Sequence, residues 1–545
     1  MTENSETPIT KTASSLLNLT EKLESDESFL RQGGGKKGKE RQQRLGRLTA
    51  RERLELLIDN ADGFFELGIW AGFQMYPEIG DIPAAGVITG IGDICGRTCM
   101  VIVNDATVKA GAMFPQSVKK VLRAQKIAFE CRLPIIYLVD SSGVYLPLQD
   151  EIFPDEDDFG RIFRNNAIIS ANGVPQIAAI MGNCIAGGGY LPVLCDKLLM
   201  TEGSGLYLAG PALVKAAIGQ VVDPEDLGGA RMHAEISGTV DFLEKDDKSC
   251  LMRIRSLVDM LPEDSPRKDS HASYEVEHYP HKLYDIVSGD GKKEYDVHDV
   301  LTCIVDRGSM QEYKAEYGPT IVTAYAKING IPLGIVANQR KHGITGHGEV
   351  EIGGVLYAES ADKAARFIMD CNQSRLPIIF IQDVFGFMVG KEAEQSGIIR
   401  SGAKLVNAVS NSVVPKITVV IGNSFGAGNY ALCGKAYDPN FIFAWPNAKY
   451  AVMGADQAAN TLFDVEQRKA ERDGHPLNEE EARQMQMRIQ KRYLEQMDIR
   501  YGAARGWIDS IIAPHTTREV LTTTIEVVLR SPMSEKTFHT GVIQV

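Results

Sequence analysis

The chain has 545 residues, more than one hydrophobic core accommodates, so its length predicts about two to four domains. Hydrophobic residues make up 44% of it, as in an ordinary globular protein, and the net charge is −13. This charge argues against nucleic acid as a partner, because phosphate binding needs a basic surface, but it permits a small anion held by a local basic cluster.

Cysteine usage and hydropathy bear on the compartment. The nine cysteines are scattered, and Cys95 and Cys99 lack the second pair or the histidine that would complete a zinc site. The first residues form no signal peptide, and no run approaches the roughly 18 apolar residues of a membrane span. We therefore predict a cytoplasmic protein with no metal site and no membrane contact.

The first part of the chain is predicted to be helical and then basic. Residues 10–30 have helical periodicity, and the glycine- and lysine-rich residues 33–39 follow them. A P-loop is disfavoured, because Glu40 stands where a Ser or Thr should bind magnesium. Two interpretations stay open: a flexible basic linker, or a basic cluster that meets the phosphates of an anionic substrate. The arginines of that cluster would be Arg44, Arg47, Arg51 and Arg53.

Strands and helices alternate along the first half. Thr49 is placed to cap a short amphipathic helix around 48–54. The run 134–140 is continuously apolar, which is typical of a strand buried on both faces of a sheet. The other predicted elements are strands at 84–91, 98–104 and 175–182, helices at 115–132 and 159–172, and a helix that begins at the following glycines. This alternation predicts an α/β fold.

The second half repeats the order after a polar stretch, 262–295, which is predicted to be a linker. Its predicted elements are helices at 297–306, 359–373 and 396–412 and strands at 321–337, 377–382 and 416–422. The charged segment 463–500 is predicted to be a helix pair that is solvated or contacts another subunit. It breaks at Gly474–Pro476 and restarts at a capping box of Asn478 with Glu481.

Two segments occur twice in the same order. Arg132–Gly143 returns as Arg375–Gly386, and Val174–Tyr190 returns 240 positions later as Val414–Tyr430. One domain has therefore been duplicated. Each copy carries an apolar strand that ends in a glycine-rich turn.

These turns can hold a negative oxygen. Backbone N–H groups at the start of a helix have no intrahelical partner, and small residues let a ligand approach them closely. Fixed donors of this kind form an oxyanion hole, and the loss of one costs about 3–4 kcal/mol of barrier. The alternative is tight packing of helix against strand. A dinucleotide site is disfavoured, because neither turn has the G-x-G-x-x-G form.

The side chains near the turns offer no nucleophile. No Ser-His-Asp or Cys-His pattern is evident, and Cys184 has Ser424 as its counterpart, so we interpret it as a packing residue. Asp140 and Asp383 end equivalent strands and are predicted to cap local turns rather than act as bases. The site is therefore expected to work through backbone electrostatics.

Several motifs resemble one known family. They are Asp140–Pro147, Glu151–Gly160, Leu208–Pro211, Val214–Ala217, Glu225–Gly229, Gly386–Gly390 and Gly428–Tyr430. They are similar to those of the carboxyltransferase (beta) subunits of biotin-dependent acyl-CoA carboxylases, in particular the 3-methylcrotonyl-CoA carboxylase branch. The resemblance runs from about residue 35 to 535.

The resemblance implies an α/β fold of two duplicated crotonase-like (ClpP/crotonase superfamily) domains, each a β-β-α superhelix. A helical extension, 1–30, would precede an acyl-CoA-binding domain at 31–275 and a biotin-binding domain at 285–535. The enolate oxygen of the thioester would be held by Ala186 and Gly187, with Gly143 and Gly188 also at the substrate. Biotin's ureido oxygen would meet a second set of residues: Phe425, Gly426, Ala427 and Gly428.

The resemblance also implies partners. The chain has no Met-Lys-Met biotinylation site and no ATP-binding domain, so a biotin carboxylase and biotin carrier (alpha) subunit would supply carboxybiotin. Homo-hexamers, as trimers of dimers, are usual in the family. The expected reaction is carboxyl transfer to 3-methylcrotonyl-CoA, as in leucine degradation.

One insertion leaves the substrate open. Residues from about Gln339 to Gly353 are absent from the methylcrotonyl branch and, with three glycines, are predicted to be a mobile loop. A similar insertion occurs in glutaconyl-CoA decarboxylases. The alternatives are transfer to propionyl- or geranyl-CoA, the reverse transfer, and a non-catalytic scaffold. A hydratase is disfavoured, because no paired glutamates follow Gly187 or Gly428 at short range.

Overall fold

The chain forms two compact units in a computed structural model that describes residues 13–259, 261, 274–345, 348–472, 478–530, 538–539 and 541. The N-terminal unit comprises residues 25–268 with 503–506. The C-terminal unit comprises the rest of the chain. Each unit is built on its own mixed sheet.

The N-terminal unit contains an eight-stranded sheet in the order β1-β2-β3-β4-β5-β6-β8, with β7 beside β5. Its strands are Phe65–Leu67 (β1), Val87–Ile94 (β2), Arg97–Asn104 (β3), Ile135–Ser141 (β4), Gln176–Ile185 (β5), Lys197–Thr201 (β6), Gly205–Tyr207 (β7) and Phe242–Glu244 (β8). The β1-β2 and β2-β3 pairs are antiparallel and the others are parallel. Strands β4 and β5 lie at the centre and are apolar on both faces.

The C-terminal unit repeats this sheet in the order β20-β18-β17-β15-β11-β10-β9, with β19 beside β17. Its strands are Gln311–Glu312 (β9), Ile321–Ile328 (β10), Ile331–Asn338 (β11), Gly343–Ile344 (β12), Val350–Glu351 (β13), Val355–Leu356 (β14), Ile378–Val384 (β15), Gly386–Phe387 (β16), Lys416–Phe425 (β17), Phe441–Ala444 (β18), Lys449–Ala451 (β19) and Ser510–Ile511 (β20). Strands β15 and β17 take the central places of β4 and β5. The two similar mixed sheets confirm the predicted duplicated α/β fold.

The described part of the chain also forms helices in both units. They are Ala13–Leu30 (α1), Gly35–Arg44 (α2), Ala50–Leu57 (α3), Pro115–Glu130 (α4), Phe159–Ala171 (α5), Tyr190–Val193 (α6), Pro211–Ile218 (α7), Pro224–Gly228 (α8), Ala230–Glu235 (α9), Asp247–Asp259 (α10), Leu283–Ile286 (α11), Val297–Leu301 (α12), Ala358–Gln373 (α13), Lys391–Gln395 (α14), Ile398–Asn411 (α15), Gly426–Ala431 (α16), Ala455–Arg472 (α17), Glu479–Met497 (α18), Ile499–Ala504 (α19) and Thr517–Val528 (α20). In the N-terminal unit α3 and α10 close one apolar core. In the C-terminal unit α13 and α15 close another.

The structure confirms two predicted N-caps. Thr49 caps α3 with Glu52 in a reciprocal capping box, and Asn478 caps α18 with Glu481 in the same way. The predicted break at Gly474–Pro476 lies outside the described residues. None of the described helices is both long and apolar enough to cross a bilayer.

Two stretches interpreted as linkers contain helices. The glycine-rich stretch is helix α2, and its glycines serve close packing: the Gly34 N–H donates to Thr107 Oγ1 at 2.9 Å, and a Cβ at Gly38 would lie 2.7 Å from the Thr107 carbonyl oxygen. The predicted linker, 262–295, contains the boundary between the two units at 268/269, and its described part, from residue 274 on, includes α11. There α11 buries Leu283 and Ile286 in the C-terminal unit.

Candidate active site

The pairing of the two central strands in each unit shifts register near their carboxyl ends. Between Val139 and Ser141 strand β4 advances two residues, whereas its partner β5 advances four, from Ile180 to Cys184. Strand β15 likewise advances two residues, from Gln382 to Val384, while β17 advances four, from Val420 to Ser424. The extra residues wrap around Asp140 in one unit and Asp383 in the other.

In the N-terminal unit this strand end leads into the predicted oxyanion turn. Residues Ala186–Gly189 form a 3₁₀ turn directly after β5. Gly143 adopts a positive φ of 89°, and a Cβ there would lie 3.3 Å from the Ile185 carbonyl oxygen. The fold therefore brings Gly143 beside the turn that contains Gly187 and Gly188. The four residues predicted to contact the substrate, Gly143 and Ala186–Gly188, therefore lie together at the carboxyl end of β5.

The C-terminal unit forms the equivalent arrangement. Helix α16 begins at Gly426, whose φ of +54° turns the chain out of β17. Gly428 is buried against Val384, where a Cβ would lie 2.7 Å from a methyl carbon. Gly386 adopts a φ of +120° beside the Phe425 carbonyl, as Gly143 does beside Ile185. The predicted biotin residues Phe425 to Gly428 are therefore contiguous at the start of α16, with Ala427 exposed.

Asp140 and Asp383 do not cap local turns, so that prediction was wrong. Each carboxylate accepts the backbone N–H of an asparagine on the neighbouring strand: Asn183 donates to Asp140 at 3.3 Å, and Asn423 donates to Asp383 at 2.8 Å. Each is buried and paired with an arginine. Sequence reasoning missed these pairs because the partners are far apart in the chain: Arg53 precedes Asp140 by 87 positions, and Arg340 precedes Asp383 by 43.

Arg53 is an internal residue, so it does not belong to the predicted phosphate-contacting cluster. It donates from Nη1 to Asp140 at 3.3 Å, from Nε to Asp247 at 2.8 Å and from Nη2 to the Met181 carbonyl at 2.8 Å. Burial raises the pKa of the Asp140 carboxyl, and the Arg53 and Arg47 guanidinium groups oppose that rise. Arg51 is likewise engaged, by two hydrogen bonds to Glu66. A phosphate contact stays a prediction for the exposed lysines of α2, for Arg44 and for Arg47.

The buried side chains beside the turns are unsuited to nucleophilic attack. Burial raises the pKa of the Cys184 thiol to about 12, which leaves almost no thiolate at neutral pH. Ser424 donates to Gln382 Oε1 at 2.6 Å and accepts from Asn429 at 2.8 Å. Their geometry agrees with a packing role.

The insertion is a hairpin rather than an unstructured loop. Strands β12 and β13 pair antiparallel across it, and Arg340 at its base is buried. Gly354 N donates to the Gln339 carbonyl at 2.7 Å and closes the segment. Residues 346–347 lie outside the described part of the chain.

Comparisons with known proteins agree with this architecture. A family model described as "Carboxyl transferase domain" matches residues 41–542. The chain is 43% identical to the biotin-dependent 3-methylcrotonyl-coenzyme A carboxylase beta1 subunit of Mycobacterium tuberculosis, over 92% of each chain. It is 42% identical to the mitochondrial methylcrotonoyl-CoA carboxylase beta chain of Arabidopsis thaliana, over 93% of this chain and 85% of that one. The crystal structure of the P. aeruginosa geranyl-CoA carboxylase beta subunit superposes with a TM-score of 0.86 at 32% identity, covering 100% of this chain and 98% of that one.

Proposed function

Since the chain belongs to the carboxyl transferase family, as a carboxyltransferase subunit of the biotin-dependent acyl-CoA carboxylases, we propose that its acceptor is 3-methylcrotonyl-CoA. The observation that carries this choice is identity above 40%, over more than nine-tenths of the chain, to two proteins named for that substrate. The reaction would serve leucine degradation.

The two glycine-rich turns are the proposed catalytic groups. The N–H groups of Ala186 and Gly187 hold the thioester oxygen as it becomes an enolate, with Gly143 and Gly188 beside it. Backbone donors suit this task because they are fixed before the charge develops. A domain with proposed boundaries 31–275, most of which lies in the N-terminal unit, would bind acyl-CoA.

A domain with proposed boundaries 285–535, most of which lies in the C-terminal unit, would receive biotin. Carboxybiotin supplies the carboxyl group and, after loss of CO2, a basic ureido nitrogen that takes the acceptor's proton. The residues suit that group: the small residues Gly426, Ala427 and Gly428 leave the amides approachable, and Phe385 and Tyr430 expose aromatic surface within the same unit. These amides hold the ureido oxygen while its negative charge grows.

Removal of one amide donor tests the proposal. Ala186→Pro deletes the N–H, and we expect kcat to fall about 100- to 1,000-fold. Ala186→Gly keeps the N–H and is the matched control, expected to stay within about tenfold of wild type. An Ala186→Pro protein that assembles normally and keeps more than a tenth of its activity would exclude the enolate role. A wild-type protein without transferase activity would favour the scaffold alternative.

A partner must carry biotin. The beta-subunit relatives imply an alpha subunit, and we propose that it bears the biotin carboxylase and biotin carrier. A homo-hexamer, formed as a trimer of dimers, is the proposed assembly, and the cytoplasm is the proposed location. Size-exclusion chromatography with light scattering tests the stoichiometry with and without the partner.

Geranyl-CoA is the second candidate acceptor. The superposition on the geranyl-CoA carboxylase beta subunit over the whole chain favours it, although the identity is lower. Steady-state assays of the reconstituted complex separate the candidates. We expect kcat/KM for 3-methylcrotonyl-CoA to exceed that for geranyl-CoA and propionyl-CoA at least tenfold. The opposite order would reassign the substrate.

A further inference from the structure

The inserted segment contributes a residue to the interior of the C-terminal unit. Arg340 stands at the base of the β12-β13 hairpin, and only 4% of its side chain is exposed. Its Nε lies 2.9 Å from Asp383 Oδ2, and its terminal nitrogens donate to the carbonyl oxygens of Gly353 and Gly291 at 3.3 and 3.1 Å. The insertion is therefore tied to the central strands by a buried charge.

Arg340 repeats in the C-terminal unit what Arg53 does in the other. Each arginine approaches Oδ2 of the aspartate that ends a central strand. In both units the other oxygen, Oδ1, accepts the backbone N–H of an asparagine. That asparagine, Asn183 or Asn423, precedes the predicted oxyanion turn by three residues. The two arginines come from unrelated places, helix α3 and the insertion, so the repeated arrangement is not a simple copy of the duplicated sequence.

A second contact joins Arg340 to the same turn. Its guanidinium lies over the Phe385 ring, 4.4 Å from the centroid. Phe385 in turn lies 6.1 Å, between ring centroids, from Phe425, which immediately precedes α16. Arg340 therefore contacts both neighbours of Val384, the last residue of β15: the Asp383 carboxylate and the Phe385 ring. Asp383 accepts a hydrogen bond from Asn423, and the Phe385 ring lies near that of Phe425. Both partners belong to β17, just before Gly426.

We propose that Arg340 is a positioning residue for the Phe425–Gly428 amides, and that Arg53 positions the Ala186–Gly188 amides in the same way. An oxyanion hole requires its donors to be held within about 0.5 Å of the productive geometry, by residues that are themselves locked by packing and by contacts behind the site. This inference rests on the proposed function, because it assigns Arg340 to the biotin side and Arg53 to the acyl-CoA side.

The reverse half-reaction separates the two sides. In it the reconstituted subunit moves CO2 from the carboxylated acyl-CoA to a nitrogen of free biotin methyl ester, and the displaced proton goes to the acyl carbon. Arg340→Lys keeps the charge but not the planar fork that spans Asp383, Gly353 and the Phe385 ring. We expect it to lower kcat/KM for biotin methyl ester at least tenfold while the Kd for acyl-CoA stays within twofold. Arg53→Lys is the matched variant, expected to lower kcat at least tenfold with an unchanged KM for biotin methyl ester.

Phe385→Leu provides a second test, because this half-exposed ring can be replaced without removing a buried charge. It should lower kcat/KM for biotin methyl ester threefold or more and leave the Kd for acyl-CoA unchanged. Equal effects of Arg340→Lys and Arg53→Lys on both ligands would overturn the inference. So would an Arg340→Lys or a Phe385→Leu protein within twofold of an active wild type. A wild type that transfers no carboxyl group to any acyl-CoA would instead overturn the proposed function, and this inference with it.

Discussion

Gly422 allows the Asp383 carboxylate to reach its partners. Its own backbone lies in β17, and a Cβ added there would lie 2.5 Å from Oδ1 and 2.6 Å from Oδ2 of Asp383. Ordinary carbon contacts begin near 3.4 Å, so Gly422→Ala must displace the carboxylate by about 1 Å. That movement breaks the 2.8 Å bond from the Asn423 N–H and the 2.9 Å ion pair with Arg340.

The expected loss of stability is large. A buried arginine that loses its counter-charge costs about 3–5 kcal/mol, and overpacking of a core adds about 1–3 kcal/mol. Because Arg340 keeps two carbonyl partners, we expect the free energy of unfolding to fall by about 3–5 kcal/mol in total. Urea unfolding followed by circular dichroism measures this change. Gly182→Ala, which places a Cβ against the Asp140 carboxylate, should give a similar loss in the N-terminal unit.

Gly160→Ala is the matched control for both variants. Gly160 lies in helix α5 with open space where the Cβ would be, so the substitution should be neutral or stabilising by up to about 1 kcal/mol. The reasoning is refuted if Gly422→Ala lies within about 1 kcal/mol of Gly160→Ala. That result would mean that the carboxylate is not held in place by its pairs.

Three further changes test electrostatic features. Hydrogen bonds to Glu312 and Asp296 raise the pKa of His298 to about 9. The charged imidazole therefore stabilises the fold fully below pH 6.5, and this contribution is lost as the pH rises through 9. Urea midpoints should show His298→Gln to be about 1–2 kcal/mol less stable than wild type at pH 6 and equal to it above pH 10. Burial, with the nearby charges of Glu359 and Glu349, raises the pKa of Glu351 to about 7. The stability of the wild type should therefore fall as the pH rises from 4.5 to 7. At pH 8, thermal melts should show Glu351→Gln to be about 1–3 kcal/mol more stable than wild type. Cys184→Ala should keep steady-state turnover within about threefold, because the thiol is not a nucleophile.

Each of these expectations can fail. A pH-independent gap between His298→Gln and wild type would mean that the imidazolium is not the stabilising species. A Glu351→Gln protein that gains nothing at pH 8 would mean that the carboxylate finds a partner in solution. Loss of turnover in Cys184→Ala, without loss of fold, would restore the thiol as a catalytic candidate.

The sequence alone determined the fold class and the place of the turns. Buried parallel strands must be apolar on both faces, so 134–140 and its repeat were recognisable by composition, and the structure has them as β4 and β15. The glycines after β5 and β17 were recognisable as a repeated local composition, and Gly426, with a φ of +54°, has a conformation that favours glycine. The N-cap at Thr49 and the capping box of Asn478 with Glu481 were also local signals, since the two residues of such a box lie only three positions apart.

Only the tertiary structure decided the partners of the buried charges. Arg53 looked like a surface cation among other basic residues, and Arg340 belonged to a glycine-rich insertion that predicted a mobile loop. Each becomes internal because an aspartate far along the chain needs a counter-charge once its strand is buried. Helix periodicity and turn composition report on neighbours within a few residues, whereas an ion pair depends on which strands the sheet brings together.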